Sequence, residues 1–184
     1  FSIDTESGFN DVVFVTGSYG LGETIVQGEV TPDEYYVHKP TFKKGWRGVL
    51  RRTLGTKLIK MVYSDDGHLV RRLETESSER TAYCLTDEEV LTLADYAIKT
   101  EEHYSEKAGR LTAMDMEWAK DGVDGLPYLI QARPETIISQ RSSTKIEHYN
   151  LNNIAPALIT GRAIGQKIAS GSARYIASSD DLSG

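Results

Sequence analysis

The chain has 184 residues, 39% of them apolar and 26% charged, a balance that suits a globular domain and excludes collagen-like, mucin-like and fully disordered chains. Its formal net charge of -6, from 21 basic and 27 acidic residues, argues against nucleic acid as a general partner. No apolar run approaches the roughly 20 residues that cross a membrane, and residues 1–6 have neither the basic nor the apolar part of a signal peptide. The single cysteine, Cys84, excludes an internal disulfide and suits a reducing, cytoplasmic setting. The chain starts without Met and closes on a polar stretch, so a fragment of something longer is expected.

Residues 12–16 are a β-branched run and read as a buried strand. A glycine-rich turn follows over 17–23. No Lys-Ser/Thr pair comes after it, so it is no Walker A loop, and its spacing is not the dinucleotide fingerprint. A tight turn that lets backbone pass closely is the expectation. Residues 24–27 open a helix or another extended piece. Residues 31–34 read as a turn, and 35–38 as a strand before Pro40.

From Tyr36 to Ser64 there is no Asp or Glu, while Lys39, Lys43, Lys44, Arg47, Arg51, Arg52, Lys57 and Lys60 fall in that stretch. Either this basic segment meets a small anion or another domain's acidic face, or it is a solvated strand and loop. Residues 57–63 and 68–73 read as two strands, joined by the turn Ser64-Asp65-Asp66-Gly67. Thr86-Asp87-Glu88-Glu89 has the form of a capping box. Val90, Leu93, Ala94, Ala97 and Ile98 then recur at helical spacing. The spacing predicts a helix to about Tyr104 or Lys107, with three acids in its first turn facing the helix dipole.

Residues 114–118 alternate, with Met114, Met116 and Trp118 on one face and Asp115 and Glu117 on the other. Residues 120–125 are turn chemistry, and 128–133 read as the returning strand, stopped by Pro134. Periodicity fades after that. The domain reading is therefore 1–136, a linker over 137–160, and the first strands of a new unit over 161–184. His38, His68, His103 and His148 make no metal-ligand spacing.

If residues 114–118 and 128–133 pair antiparallel, Asp115, Glu117, Leu129, Gln131 and Arg133 share a face. Two carboxylates, an amide and a guanidinium suit a divalent cation held by oxygen and a polyphosphate held by arginine. The alternative is a solvated sheet face with a cross-strand Glu–Arg pair worth under about 1 kcal/mol.

Six segments carry a resemblance. They are FSIDTESGF (1–9), YGLGETIVQGEVTPDEYYVHKP (19–40), RRTLGTKLIKMVY (51–63), MDMEWAKDG (114–122), IQARPET (130–136) and GRAIGQKIASGSARYI (161–176). In this order they resemble the nucleotide-binding domain of the pyruvate phosphate dikinase family. The resemblance implies an α+β fold, an ATP-grasp-like lobe with a mostly antiparallel sheet and flanking helices. Residues 1–136 would be its second lobe, and 161–184 the start of a swivelling phosphohistidine domain. It implies ATP and Mg²⁺ as cofactors and pyruvate as a partner of the intact enzyme, which forms phosphoenolpyruvate through a phosphohistidine relay. A rifampin phosphotransferase-like relay kinase, or a non-catalytic binding module, is the alternative. By the resemblance Glu117 binds ATP and metal, Asp115 is a second metal carboxylate, Gln131 and Arg133 contact the nucleotide, and Arg133 is catalytic. Glu23 and Gln27 line the nucleotide cleft. The family's first lobe, its Thr-Cys-His type loop and its pyruvate-binding barrel have no counterpart among the 184 residues, and a homodimer is compatible with the resemblance. One departure is the connection over 105–113, longer than the family's short, proline-containing one.

Overall fold

The computed structural model describes residues 1–64, 69–136, 156–161 and 168–175. The chain divides into two units, 1–146 and 147–184. In the first, β1 (Val12–Gly17), β2 (Asp33–His38) and β3 (Val49–Thr53) form an antiparallel sheet in that order. Alternation in β2 marks its buried face, while β1 is buried on both faces. Val13 and Val15 of β1 and Tyr35 and Val37 of β2 point to one side. There they meet Val90, Leu93, Ala94, Ala97 and Ile98 of helix α4 (Asp87–Ala108). Each fully buried Val, Leu or Ile side chain here contributes about 1.5–3 kcal/mol.

The helix starts as its sequence predicts. The Glu89 amide donates to Thr86 Oγ1 (3.3 Å), and the Thr86 amide donates to the Glu89 carboxylate (2.8 Å). It ends at Ala108, one residue past the longer of the two expected limits. Residues 105–108 are helical, and Gly109 at φ 64° supplies the left-handed stop. The connection to the next strand is thus 109–113, folded back by the Thr112 amide donating to Ser105 Oγ (2.9 Å).

Two buried ion pairs brace this layer. Glu101 continues the apolar stripe of α4, and Lys39 Nζ meets its two oxygens at 2.8 and 2.6 Å while Ser2 Oγ donates to it at 2.7 Å. Asp33, expected in a turn, instead opens β2 and is fully buried. Its carboxylate accepts from Lys57 Nζ (2.5 Å), the Gly55 amide (2.8 Å) and the Cys84 amide (2.8 Å). That internal satisfaction is what lets an acid start a core strand.

The remaining elements attach to this frame. The expected hairpin is β4 (Ile59–Tyr63) with β5 (Val70–Glu74), antiparallel, and its turn at 65–68 lies outside the described residues. The glycine-rich turn runs along β4 through a bridge between Gly20 and Met61, then enters the short helix α1 (Glu23–Val26). Helices α2 (Lys39–Lys43) and α3 (Ser77–Arg80), and strand β3, were not legible as elements. The last sheet is β6 (Met114–Lys120) with β7 (Pro127–Pro134). Residues 1 and 2 lie between β1 and β6. The Phe1 amine donates to the Phe14 carbonyl (2.8 Å), and the Ser2 amide to that of Met114 (2.9 Å). Pairing in all three sheets is antiparallel, so the α+β expectation holds. In the second unit the described residues are exposed and carry neither helix nor strand. Most of the expected linker over 137–160 and much of the segment 161–184 lie outside the described residues. No described helix is long and apolar enough to cross a membrane.

Breaking the Asp33–Lys57 pair from one side leaves a charge in the core. Lys57→Met is expected to cost about 3–5 kcal/mol, read by urea unfolding; a loss under 1 kcal/mol would contradict the pairing.

Candidate nucleotide site

The β6–β7 hairpin is set by its turn and by α4. Asp121 Oδ1 accepts the Val123 and Asp124 amides (2.6 and 3.1 Å), the Asp121 amide donates to the Leu126 carbonyl (2.9 Å), and Tyr128 Oη donates to Asp124 Oδ2 (2.6 Å). Met114 is buried, and Met116 and Trp118 pack on the core shared with α4. Lys120 Nζ reaches Glu89 Oε1 at 2.5 Å, tying the far end of β6 to the first turn of α4.

With one face so occupied, Asp115 and Glu117 fall on the other. The register sets Asp115 opposite Arg133 and Glu117 opposite Gln131, so the four share a face as the alternation requires. Leu129 does not join them. The ladder shifts between Glu117 and Trp118, which brings Leu129 opposite Trp118. The extra residue in β7 is Ile130, and a bulge reverses the alternation beyond it. Leu129 therefore lines an apolar groove with Met116, Trp118 and Leu93.

The cross-strand ion pair is Asp115–Arg133 rather than the expected Glu–Arg pair. Arg133 Nε donates to Asp115 Oδ2 at 3.0 Å, and Nη2 lies 2.8 Å from the same oxygen as an ion pair. One of the five guanidinium N–H groups is thereby used as a hydrogen-bond donor. The Arg133 side chain is 67% exposed and that of Asp115 only 18%. The carboxylate is thus a fixed seat, and the guanidinium keeps donors for a ligand in solvent. Glu117 and Gln131 are exposed. Among the described residues no three or more His, Cys, Asp or Glu side chains gather as a metal centre. Two carboxylates and an amide oxygen still suit Mg²⁺, which commonly takes one or two protein carboxylates with substrate phosphates and water.

Glu23 and Gln27 belong to a different part of the unit. Glu23 lies on α1 and Gln27 caps it, and the Leu21 amide before α1 donates to the Met61 carbonyl of β4 (2.8 Å). Gln27 Oε1 accepts from Arg72 Nη2 of β5 at 3.4 Å. The basic segment is absorbed by the protein's own acids. Lys43 pairs with Glu102, Arg47 with Asp87 and Glu88, Arg52 with Asp87, and Lys60 with Glu79. Sequence reasoning missed the opposite face of the β1–β3 sheet, where Arg51 stacks 4.7 Å from the Tyr36 ring centroid. The strict alternation about Tyr35 and Val37 was the signal for it. Cys84 behaves as packing. Burial, then the Asp33 carboxylate, push its thiol up to about 12, well away from the thiolate form a nucleophile needs.

The family described as pyruvate phosphate dikinase, AMP/ATP-binding domain, matches residues 1–153. A phosphoenolpyruvate synthase of Pseudomonas aeruginosa is 51% identical over 179 residues, 96% of this chain and 22% of that protein. Its namesake from Escherichia coli is 46% identical over 179 residues, with the same coverage of both. A protein named uncharacterized phosphotransferase YvkC, from Bacillus subtilis, is 37% identical over 128 residues, 70% of this chain and 14% of its own. The chain spans about a fifth of the length of the phosphoenolpyruvate synthases it matches.

The two faces of the hairpin should respond differently to substitution. Glu117→Gln is expected to change stability by less than about 1 kcal/mol, since Glu117 is exposed. Trp118→Ala should cost about 3 kcal/mol through lost packing. Urea unfolding of the two variants separates a face free for a ligand from a face that holds the fold.

Proposed function

The chain belongs to the pyruvate phosphate dikinase AMP/ATP-binding domain family, and on that premise we propose that it is the ATP-binding lobe of a dikinase that forms phosphoenolpyruvate from pyruvate, ATP and water. The observation that carries the reading is the shared face of Asp115, Glu117, Gln131 and Arg133, inside the span that is 51% identical to a phosphoenolpyruvate synthase. In this reading the fold is one lobe of an ATP-grasp-like cleft. Residues 161–184 begin the swivelling domain whose histidine takes the phosphoryl group before pyruvate does.

The protein's work in such a transfer is placement and charge stabilisation, because the phosphoryl group needs little covalent help. Arg133, seated on Asp115, turns its remaining N–H donors to the phosphate oxygens, where negative charge spreads during transfer. Glu117 and the free oxygen of Asp115 supply the hard ligands for Mg²⁺, and Gln131 orients the nucleotide beside them. When bound, Mg²⁺ neutralises charge on the transferred group. Glu23 and Gln27 line the same cleft from α1. The lower identity and coverage of the Bacillus relative leave a different phosphoryl acceptor as the second reading.

The test is made in the longer protein, on each half-reaction separately. Arg133→Ala should slow ATP-dependent phosphorylation of the relay histidine by about 10²-fold or more, by comparison with other lost electrostatic donors. Glu117→Gln should fail in the same half-reaction and recover partly in excess Mg²⁺. An Arg133→Ala protein that phosphorylates the histidine normally and fails only with pyruvate would overturn the assignment. The 184-residue chain alone should not turn over ATP and pyruvate.

A further inference from the structure

The Asp115–Arg133 pair stands at one end of β6, and a buried hydroxyl holds the residue beside it. We propose that Ser2, oriented by the buried Glu101–Lys39 pair, is a positioning residue of the nucleotide site: it fixes Met114 so that Asp115 seats Arg133 at the phosphates. The proposal rests on the assignment of Arg133 to a phosphate contact.

Ser2 grips both backbone groups of Met114. Its amide donates to the Met114 carbonyl (2.9 Å), and its Oγ accepts the Met114 amide (2.8 Å). A serine hydroxyl can turn to donate or to accept, so a further group must settle its direction. Glu101 does so. Its Oε1 takes the Ser2 hydroxyl hydrogen at 2.7 Å, which leaves the lone pairs of the Ser2 oxygen for the Met114 amide. An ionised carboxylate only accepts, and Lys39 Nζ supplies the opposite charge at 2.8 and 2.6 Å from its two oxygens. Ser2 and Met114 are fully buried, and Lys39 and Glu101 nearly so, so bulk solvent does not compete for these bonds.

The same strand end is tied from β7. The Glu135 amide, two residues past Arg133, donates to the Ala113 carbonyl (2.7 Å), two residues before Asp115. Asp115 and Arg133, directly opposite one another, therefore share a fastened end. Asp115 follows Met114 in the chain, so a shift of Met114 moves the acid, and the acid moves the guanidinium bonded to it.

Stability alone does not account for the arrangement. Burying two charges carries a desolvation cost, and an apolar pair of similar size often holds a core at least as well. A hydroxyl turned by a carboxylate gives what an apolar pair cannot, a defined position for one backbone amide. A displacement of about 1 Å in a positioned group can lower a rate about 10²-fold.

The experiment is a double-mutant cycle on ATP-dependent phosphorylation of the relay histidine in the longer protein. Ser2→Ala should lower the rate at saturating ATP about 10-fold or more and shift the KM for ATP by less than about 3-fold, since the charge that Arg133 meets grows during transfer. Ser2→Cys, whose thiol is a weak donor and acceptor, should fall between serine and alanine. With Arg133→Ala already present, Ser2→Ala should lower the rate by less than about 2-fold further, because both act through one guanidinium. In the 184-residue chain, Ser2→Ala should speed exchange of the Arg133 Nε hydrogen with water by about 5-fold or more, as its bond to Asp115 loosens. An equal loss from Ser2→Ala with and without Arg133 would overturn the proposal and leave Ser2 a purely structural residue. So would an unchanged rate in Ser2→Ala beside a slow Arg133→Ala, an outcome that spares the nucleotide assignment. A normal rate in Arg133→Ala would overturn that assignment and this proposal with it. If Ser2→Ala does not fold, Ser2→Cys carries the same cycle.

Discussion

One carboxylate holds three separate stretches of the chain together. Asp33 sits at the first residue of β2, and its oxygens take the Lys57 ammonium, the Gly55 amide and the Cys84 amide. The loop before β4 and the segment leading to α4 are thereby fixed to the central sheet. The closeness has a visible cost. A Cβ on Gly55 would lie 2.2 Å from the Thr31 carbonyl oxygen, so only glycine fits. Lys57 adopts φ 42°, an uncommon conformation for a residue with a side chain. The desolvation of two buried charges is met by close geometry and by extra donors on the acid. The core face of β6 packs on the cluster shared with α4, and the segment leading into α4 is tied to this knot.

The electrostatics follow from the same economy. The acid-free stretch from Tyr36 to Ser64 is not a bare positive surface. Most of its cations are spent on acids: Lys39 and Lys57 on Glu101 and Asp33 in the core, and Lys43, Arg47, Arg52 and Lys60 on Glu102, Asp87, Glu88 and Glu79 nearer the surface. The more exposed of these pairs contribute little to stability. What they do is remove most of the segment's free charge. The Arg133 guanidinium therefore stands out as a strongly exposed cation seated on a mostly buried acid.

Local chemistry was legible where one rule governed one element. The box Thr86–Glu89 and the apolar stripe from Val90 gave the helix start, and alternation from Met114 gave the hairpin faces. Features that depend on a partner were not legible. Glu101 lies on the buried stripe of α4 only because Lys39 and Ser2 come to it from far along the sequence. The Ile130 bulge moves Leu129 to the core face, and alternation in one strand cannot reveal a shift between two. β3 reads Val-Leu-Arg-Arg-Thr, without the apolar alternation that marks a half-buried strand. Its ladder to β2 and the stack of Arg51 on Tyr36 define it instead.

Glu89 serves two elements at once. One of its oxygens accepts the Thr86 amide that begins α4, and the other holds Lys120 at the far end of β6. The two elements are pinned at this end by a single side chain and at the other by the short connection 109–113. A beam fixed at both ends bends far less than one fixed at a single end. The strand carrying Asp115 and Glu117 is therefore splinted along a 22-residue helix. Any thrust on its polar face is passed to the rod beneath it and not lost in twisting of the hairpin.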